Sequence, residues 1–506
     1  MSTALRLPPE LRTFLELPGP QTLVLRGPPG SGKSTLSLAM LESFRGDRLL
    51  VTSRVPNREI LREFPWLGTN GHRNIQTFDT SELDETVHNM ARMIEQSRQY
   101  LFVPQNAEER EISGFLWLPP PLQEAWARLT PDRPALIVID SWDALIEQYL
   151  SPSEGGTRAV PDRSEIERLL LRRMSRSSAH LVFVLEREQQ TALDYLVNGV
   201  VVLQRDAVRE RLQRWATLFK LRGVRIENPV YPFTLESAKF ESILPAKPYG
   251  SLESRPPDPE PDVVPGHIWP GCGAFAENFG RLPLGKTTLI EMDDAVPSRI
   301  ADLLVAPVIA HALQKGGHVL VTPDPSDTPD DVFESLADSV PMHRFVTHAR
   351  VVVPPGGRPT DATEAWKTAM EMTGPLVGSS PHDPASRDSV RFVREGATEE
   401  SPGLMVVSIA GVLSASAAAG NPYVGESIQQ IPLILMSAVR GASVHSIVIA
   451  REGSPLLGPL RVNATTRIGV EFHQGRVFVH GTAPWTPNFV LTEGTESHPY
   501  DLLRVV

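Results

Sequence analysis

The chain lacks several features that would have decided its class at once. It holds one cysteine, Cys272, in 506 residues. That excludes an intrachain disulfide framework and a multi-thiolate metal site, and it fits a reducing, cytoplasmic setting. The best apolar run, Gly403 to Ala419, is short for a bilayer span and is interrupted by Ser408, Ser414 and Ser416. The opening residues, Met1-Ser2-Thr3-Ala4-Leu5-Arg6, carry no apolar core of the kind a secretory leader needs. The net charge of −11 is spread without a long acidic block, and no tract interleaves aromatic with basic residues. Both points count against a protein whose main task is to coat nucleic acid.

Proline is plentiful, at 47 residues, and its placement is informative. Pro245, Pro248, Pro256, Pro257, Pro259, Pro261 and Pro265 fall in one short stretch. Such a stretch is poor in ladder donors and stays extended. The length is too great for one core. The expected division is therefore a first domain over 1–244, a linker over 245–265 and a second domain over 266–506. A second stretch rich in Pro, Ser and Asp, Gly374 to Arg387, reads as a surface loop.

The most specific signal is Gly27-Pro28-Pro29-Gly30-Ser31-Gly32-Lys33-Ser34-Thr35. An apolar strand, Thr22-Leu23-Val24-Leu25, precedes it, and a helical run begins at Thr35. Glycines at Gly27, Gly30 and Gly32 let the backbone curl so that successive N–H groups point at a phosphate. The helix N-terminus adds positive partial charge. Gly27, Gly30, Ser31, Gly32, Lys33, Ser34 and Thr35 are thus the expected ligands of a nucleoside triphosphate, with ATP and Mg²⁺ as cofactors. Lys33 reaches the outer phosphates and the Ser34 hydroxyl holds magnesium. The strand Ala135 to Asp140 ends in a carboxylate suited to the same metal.

The two halves read as one duplicated α/β unit. Thr288-Leu289-Ile290-Glu291 matches the first strand, and Gly19 and Gly285 precede the paired threonines by the same spacing. Ala301 to Leu313 reads as a helix interrupted at Pro307, followed by the strand His318 to Thr322. Nearly the same number of residues separates Thr52 from Asp140 and Thr322 from Ser408. Strand and helix signals alternate, which predicts mainly parallel sheets covered by helices. The second copy has lost the phosphate loop. Asp293 and Asp294 would repel an anion, Val296 replaces a glycine and Pro297 removes an N–H. Arg299 stands at the lysine position and Ser408 at that of Asp140.

The first half resembles the KaiC-like branch of RecA-type ATPases. The resemblance rests on Gly27–Thr35, on Ile139-Asp140-Ser141, on Leu181 to Glu186, on Asp194 to Leu203 and on Lys220-Leu221-Arg222-Gly223. Within that branch, Val51-Thr52-Ser53-Arg54-Val55 and Phe64-Pro65-Trp66-Leu67 are similar to the archaeal gas vesicle protein D group. The resemblance implies two tandem RecA-like domains, the second degenerate. It also implies that Lys220 and Arg222 reach the phosphate of a neighbouring copy in a homo-oligomer. KaiC-like ATPases place a glutamate pair after the second strand, where this chain has Arg54 and Val55. An arginine is no general base. Glu186, at a strand end, is the substitute water-positioning carboxylate, the alternative being a structural ion pair. Lys33, Asp140 and Glu186 are then the expected catalytic set, with slow or absent hydrolysis. Arg168, Arg172, Arg173 and Arg176 form a basic helix face, read as solvated or, by the resemblance, as a partner surface.

These readings point to an ATP-binding regulatory protein acting through a protein partner, without nucleic acid and without a membrane span. A DNA-acting RecA-type ATPase is the alternative. A small-molecule kinase would need a lid, which Arg205, Arg209, Arg211 and Arg214 could imitate. A pseudo-ATPase scaffold would bind nucleotide for stability alone.

Overall fold

A computed structural model describes residues 7–53, 57–69, 75–79, 122, 125, 129, 133–150, 163–244, 255–325, 327, 329–352, 384–418, 438–494 and 498–506. Arg54, Val55, residues 245–254 of the proline-rich stretch and residues 374–383 lie outside these. The chain divides into two units, one formed by Met1–Leu244 with Val505–Val506 and the other by Pro245–Arg504.

The first unit is built on a nine-stranded sheet. Its strands are β1 (Thr22–Arg26), β2 (Asp47–Thr52), β3 (Ile75–Asp79), β4 (Ala135–Asp140), β5 (Ala179–Leu185), β6 (Gly199–Val208), β7 (Arg211–Leu221), β8 (Val230–Thr234) and β9 (Glu241–Ser242). They lie in the order β3-β2-β4-β5-β1-β6-β7-β8-β9. The six strands from β3 to β6 run parallel. The remaining pairs, β6–β7, β7–β8 and β8–β9, are antiparallel.

The central strands are apolar on both faces because both faces are covered. Alternation sends Leu23 and Leu25 of β1 to one side, where they pack with Leu36, Ala39 and Met40 of the helix Lys33–Ser43. It sends Val24 to the other, with Trp142, Leu145, Ile166 and Leu170. Burying such side chains stabilises by roughly 1.5–3 kcal/mol each. The second half of β6, from Gln204 to Val208, is exposed, whereas its partner stretch on β7, Arg211 to Trp215, is mostly buried.

In the second unit, His267–Ile268 (β10) and Leu282–Pro283 (β11) form a small antiparallel pair. The main sheet holds β12 (Thr287–Met292), β13 (Val319–Thr322), β14 (Ala349–Val351), β15 (Gly403–Ser408), β16 (Val444–Arg451), β17 (Thr466–His473), β18 (Arg476–Ala483), β19 (Phe489–Glu493) and β20 (Tyr500–Arg504). Their order is β14-β13-β15-β16-β12-β17-β18-β19-β20. Strand for strand this is the arrangement of the first unit. Ile290 and Met292 pack with the helix Arg299–Gln314, which carries Pro307 inside it, and Leu289 packs on the opposite face with Val412 and Leu457.

The expected loop Gly374 to Arg387 is corrected at its end. A helix spans Pro384–Gly396, with proline at a position whose missing N–H a helix start does not need. Residues 255–265 are tied into the second unit. Asp258 accepts from the Gly273 amide at 2.6 Å, and Glu260 pairs with Arg281 at 2.8 Å.

Candidate functional site

Gly27–Gly32 joins the end of β1 to the helix Lys33–Ser43 at the carboxyl edge of the sheet, the crevice where open α/β folds hold ligands. Three glycines of this loop have positive φ, at 154° for Gly27, 71° for Gly30 and 99° for Gly32. A Cβ at Gly27 would sit 2.3 Å from the Leu203 carbonyl oxygen. One at Gly32 would sit 2.9 Å from Leu235. The loop therefore needs glycine for conformation and for space.

Lys33 is buried and its ammonium turns back onto the loop. Nζ donates to the carbonyls of Gly27 at 2.6 Å and Pro28 at 2.9 Å. Ser31 is fully buried, and its Oγ has no hydrogen-bond partner. A buried hydroxyl left so costs about 1–3 kcal/mol.

A cavity of about 260 Å³ opens beside the loop. Gly30, Lys33, Ser34, Asp140 and Glu186 line one part of it. The oxygens of Ser34 and Asp140 are the hard donors a magnesium ion takes, so the residues fit the group. Ser34 opens the loop's helix and Asp140 ends β4, two strands away from β1. The Asp140–Ser141 peptide is cis. Glu186 follows β5, accepts from Ser141 Oγ at 3.1 Å, and donates its amide to Asp143 Oδ2 at 2.8 Å. Two hydrogen bonds thus fix it at the cavity wall. Asp143 in turn is held by Arg163 at 2.7 Å, and Arg163 also meets Glu167 at 2.8 Å.

Some contributors were not assigned to the site from the sequence. Ile60, Glu63 and Phe64 line the cavity from the region of the helix Asn57–Glu63. Phe64 opens the string Phe64-Pro65-Trp66-Leu67, but nothing in that string assigns it, Ile60 or Glu63 to the site, because they arrive by packing. Arg205 and Arg214 are cross-strand partners on β6 and β7. Arg214 Nη1 donates to the Gly30 carbonyl at 2.7 Å, and Arg205 Nη1 lies 3.1 Å from where a Cβ on Gly30 would be. Burial, and then Arg205, hold the Arg214 guanidinium below its ordinary pKa. The clustering of arginines in the hairpin sequence was the available signal.

Lys220 lies on β7, and Arg222 follows that strand's last residue. Lys220 Nζ donates to the carbonyls of Val197 at 2.6 Å and Asp194 at 3.1 Å in its own chain. Burial, and then Arg222, lower its pKa, against an opposing pull from Asp194. Arg168, Arg172, Arg173 and Arg176 are exposed and Leu170 points into the core, but the helix ends at Met174, so Arg176 falls past the helical face expected to carry it.

Residues 16–247 match the family described as "ATPase: KaiC". The first unit is a KaiC-type ATPase domain. Protein GvpD2 of Halobacterium salinarum is 27% identical over 375 residues, covering 71% of this chain and 69% of that protein. Protein GvpD1 of the same organism is 29% identical over 243 residues, covering 47% of this chain and 41% of that protein. No helix among the described residues is long and apolar enough to cross a membrane.

The carboxyl edge of the second sheet differs from the KaiC-type domain at each chemical position. After β12 the chain enters Asp293-Asp294-Ala295-Val296, and Val296 is buried at 1% exposure. Arg451, at the end of β16, donates through Nη1 to the carbonyl of Val296 at 2.6 Å and reaches those of Asp293 and Asp294 at 3.3 and 3.4 Å. The carbonyls are occupied by a cation from another strand, and Arg299 is exposed. Ser408 ends β15, the counterpart of β4, and its Oγ accepts from the Gly411 amide.

Proposed function

We propose that the KaiC-type domain binds Mg-ATP in the cavity beside Gly27–Gly32 and that nucleotide state sets the protein's contact with a protein partner in the cytoplasm. The unpartnered Ser31 hydroxyl within a three-glycine cradle carries this reading. Bound magnesium would neutralise phosphate charge, held by Ser34 and Asp140. Lys33 would leave the carbonyls of Gly27 and Pro28 for the phosphate tail. Glu186, fixed by Ser141 and its own amide, is the carboxylate placed to orient a water, and hydrolysis is slow. In an assembly of copies, Lys220 and Arg222 would face a neighbour's phosphate. The matches to GvpD2 and GvpD1 support a regulatory role of the gas vesicle protein D type.

Titration calorimetry with Mg-ATP, phosphate release, and size measurement with ATP, ADP and no nucleotide test this together. Lys33→Ala lowers nucleotide affinity by about a hundredfold, since it removes charged hydrogen bonds worth roughly 1.5–3 kcal/mol each. Undiminished affinity in that variant overturns the site. The exposed arginine face at Arg168, Arg172, Arg173 and Arg176 favours a second reading, a DNA-acting ATPase. A low-salt gel shift decides it, because phosphate contacts tighten as salt falls.

A further inference from the structure

The second unit has its own cavity, of about 50 Å³. Met292, Thr322, Ser408 and Arg451, the last residues of β12, β13, β15 and β16, all line it. It therefore sits at the carboxyl edge, where the first unit carries its phosphate loop. Its lining differs: Lys33 stands among Glu63, Asp140 and Glu186 in the first cavity, whereas four aspartates gather here. Asp302, Asp324, Asp327 and Asp331 converge on it from the helix Arg299–Gln314, from the segment after β13 and from the helix Pro329–Glu334. Two arginines oppose them. Arg451 has Nη1 turned to the carbonyls of Asp293, Asp294 and Val296, and Arg299, though exposed, acts on Asp302, opposing the burial and the aspartates that raise its pKa.

An independent observation asks for a ligand. Thr322 lines the cavity at 2% exposure, and its Oγ1 is buried without a hydrogen-bond partner. A buried hydroxyl in that state costs about 1–3 kcal/mol unless something supplies the missing bond.

Two further facts fix the chemical class. Among the described residues, no group of three His, Cys, Asp or Glu is gathered closely enough to hold a metal ion. The floor is apolar, made by Val305, Ile309, Val406 and Ile449. A bare ion has no use for such a floor. A cation with N–H donors and a short hydrocarbon body uses both halves of the lining. The volume suits a few waters or an ammonium head with a few methylenes, and it is too small for a nucleotide.

We propose that this cavity binds a small primary alkylamine, its ammonium head among the aspartates and bonded to Thr322 Oγ1, its methylenes on the apolar floor. The duplicated unit has exchanged an anion site for a cation site at the same edge of the same fold.

The test is calorimetry of the full chain, free of nucleotide, with n-butylamine at matched ionic strength. Saturable one-to-one binding is expected. Asp302→Asn weakens it by about tenfold or more, and Thr322→Val by about threefold to tenfold, both close to isosteric. Tetramethylammonium, which has the charge but no N–H, does not bind. That comparison on the unaltered chain keeps the test valid should either variant fold poorly. No saturable heat, equal binding of tetramethylammonium, displacement by Mg²⁺ at matched ionic strength, or unchanged affinity in both variants would each overturn the proposal.

Discussion

The two sheets follow one strand order, β3-β2-β4-β5-β1-β6 in the first and β14-β13-β15-β16-β12-β17 in the second, yet their carboxyl edges carry opposite chemistry. In the first, Lys33 comes from the loop's own helix and lies on two loop carbonyls. In the second, Arg451 comes from a neighbouring strand and holds the corresponding carbonyls, while buried Val296 takes a place the first unit keeps bare. The cavity beside one contains Ser34 and Asp140, and beside the other four aspartates. The packing that makes the sheet thus constrains the edge very little. A fold fixes where a ligand can sit, and a few side chains set its sign.

The comparison breaks most visibly at Gly27. Its substitution by Ala drives a Cβ into the Leu203 carbonyl, which costs about 3 kcal/mol and removes nucleotide binding. A calorimetric melt checks the first, and ATP titration the second. Next is Arg163. Its replacement by Met leaves buried Glu167 without its cation and buried Asp143 with only the longer contact to Arg187 at 3.8 Å. About 3 kcal/mol of first-unit stability is lost, read as a lower first transition.

Acidification sharpens the contrast further. Burial lowers His180 in the first unit, and His311 and His445 in the second, to about 4 from 6.5. Between those values the unfolded chain binds more protons, so stability is complete above pH 6.5 and falls toward pH 4. The slope is about 1.4 kcal/mol per pH unit for each histidine. Asp302 acts in the opposite sense. Burial, and then Asp327 and Asp324, raise it to about 7 from 3.8. Between those values the folded state binds the extra proton, so acidification restores stability lost at high pH. Asp302→Asn removes that offset. The second unit's transition then falls faster than the first's between pH 6.5 and 5, in parallel melts. Equal slopes in the variant contradict this. The smallest effect belongs to the exposed pair Arg461–Glu291, with Arg461 45% exposed. Arg461→Met moves the second transition by less than about 1 kcal/mol.

Much of this was legible in the sequence, for reasons that differ by element. The strand Ala135–Asp140 was read to its ends because a strand buried on both faces is continuously apolar. The repeat was legible because paired strands recur at matching spacing, although the register is offset by one: Thr52 pairs with Asp140, and Thr322 with Val407, the residue before Ser408. The antiparallel extension from β7 to β9 was not separated from the parallel core, since β7 and β8 are largely buried, as the parallel strands are. The wall formed by Ile60, Glu63 and Phe64 has no local signature, because its place depends on how one helix lies over the sheet. The role of Arg451 was hidden by distance in sequence. The reading placed a cation at Arg299, whereas β16 delivers one across the sheet edge.

If the first unit binds nucleotide as proposed, the ammonium of Lys33 would give it a valence filter. An incoming anion must replace two existing carbonyl bonds, each worth about 0.5–1.5 kcal/mol net. A singly charged ion such as chloride offers too little to displace them, so the lysine stays folded down. A polyphosphate bound as proposed would meet several loop amides together and outweigh the loss. Discrimination by charge number therefore begins before any contact with a base, and it resides in one flexible side chain.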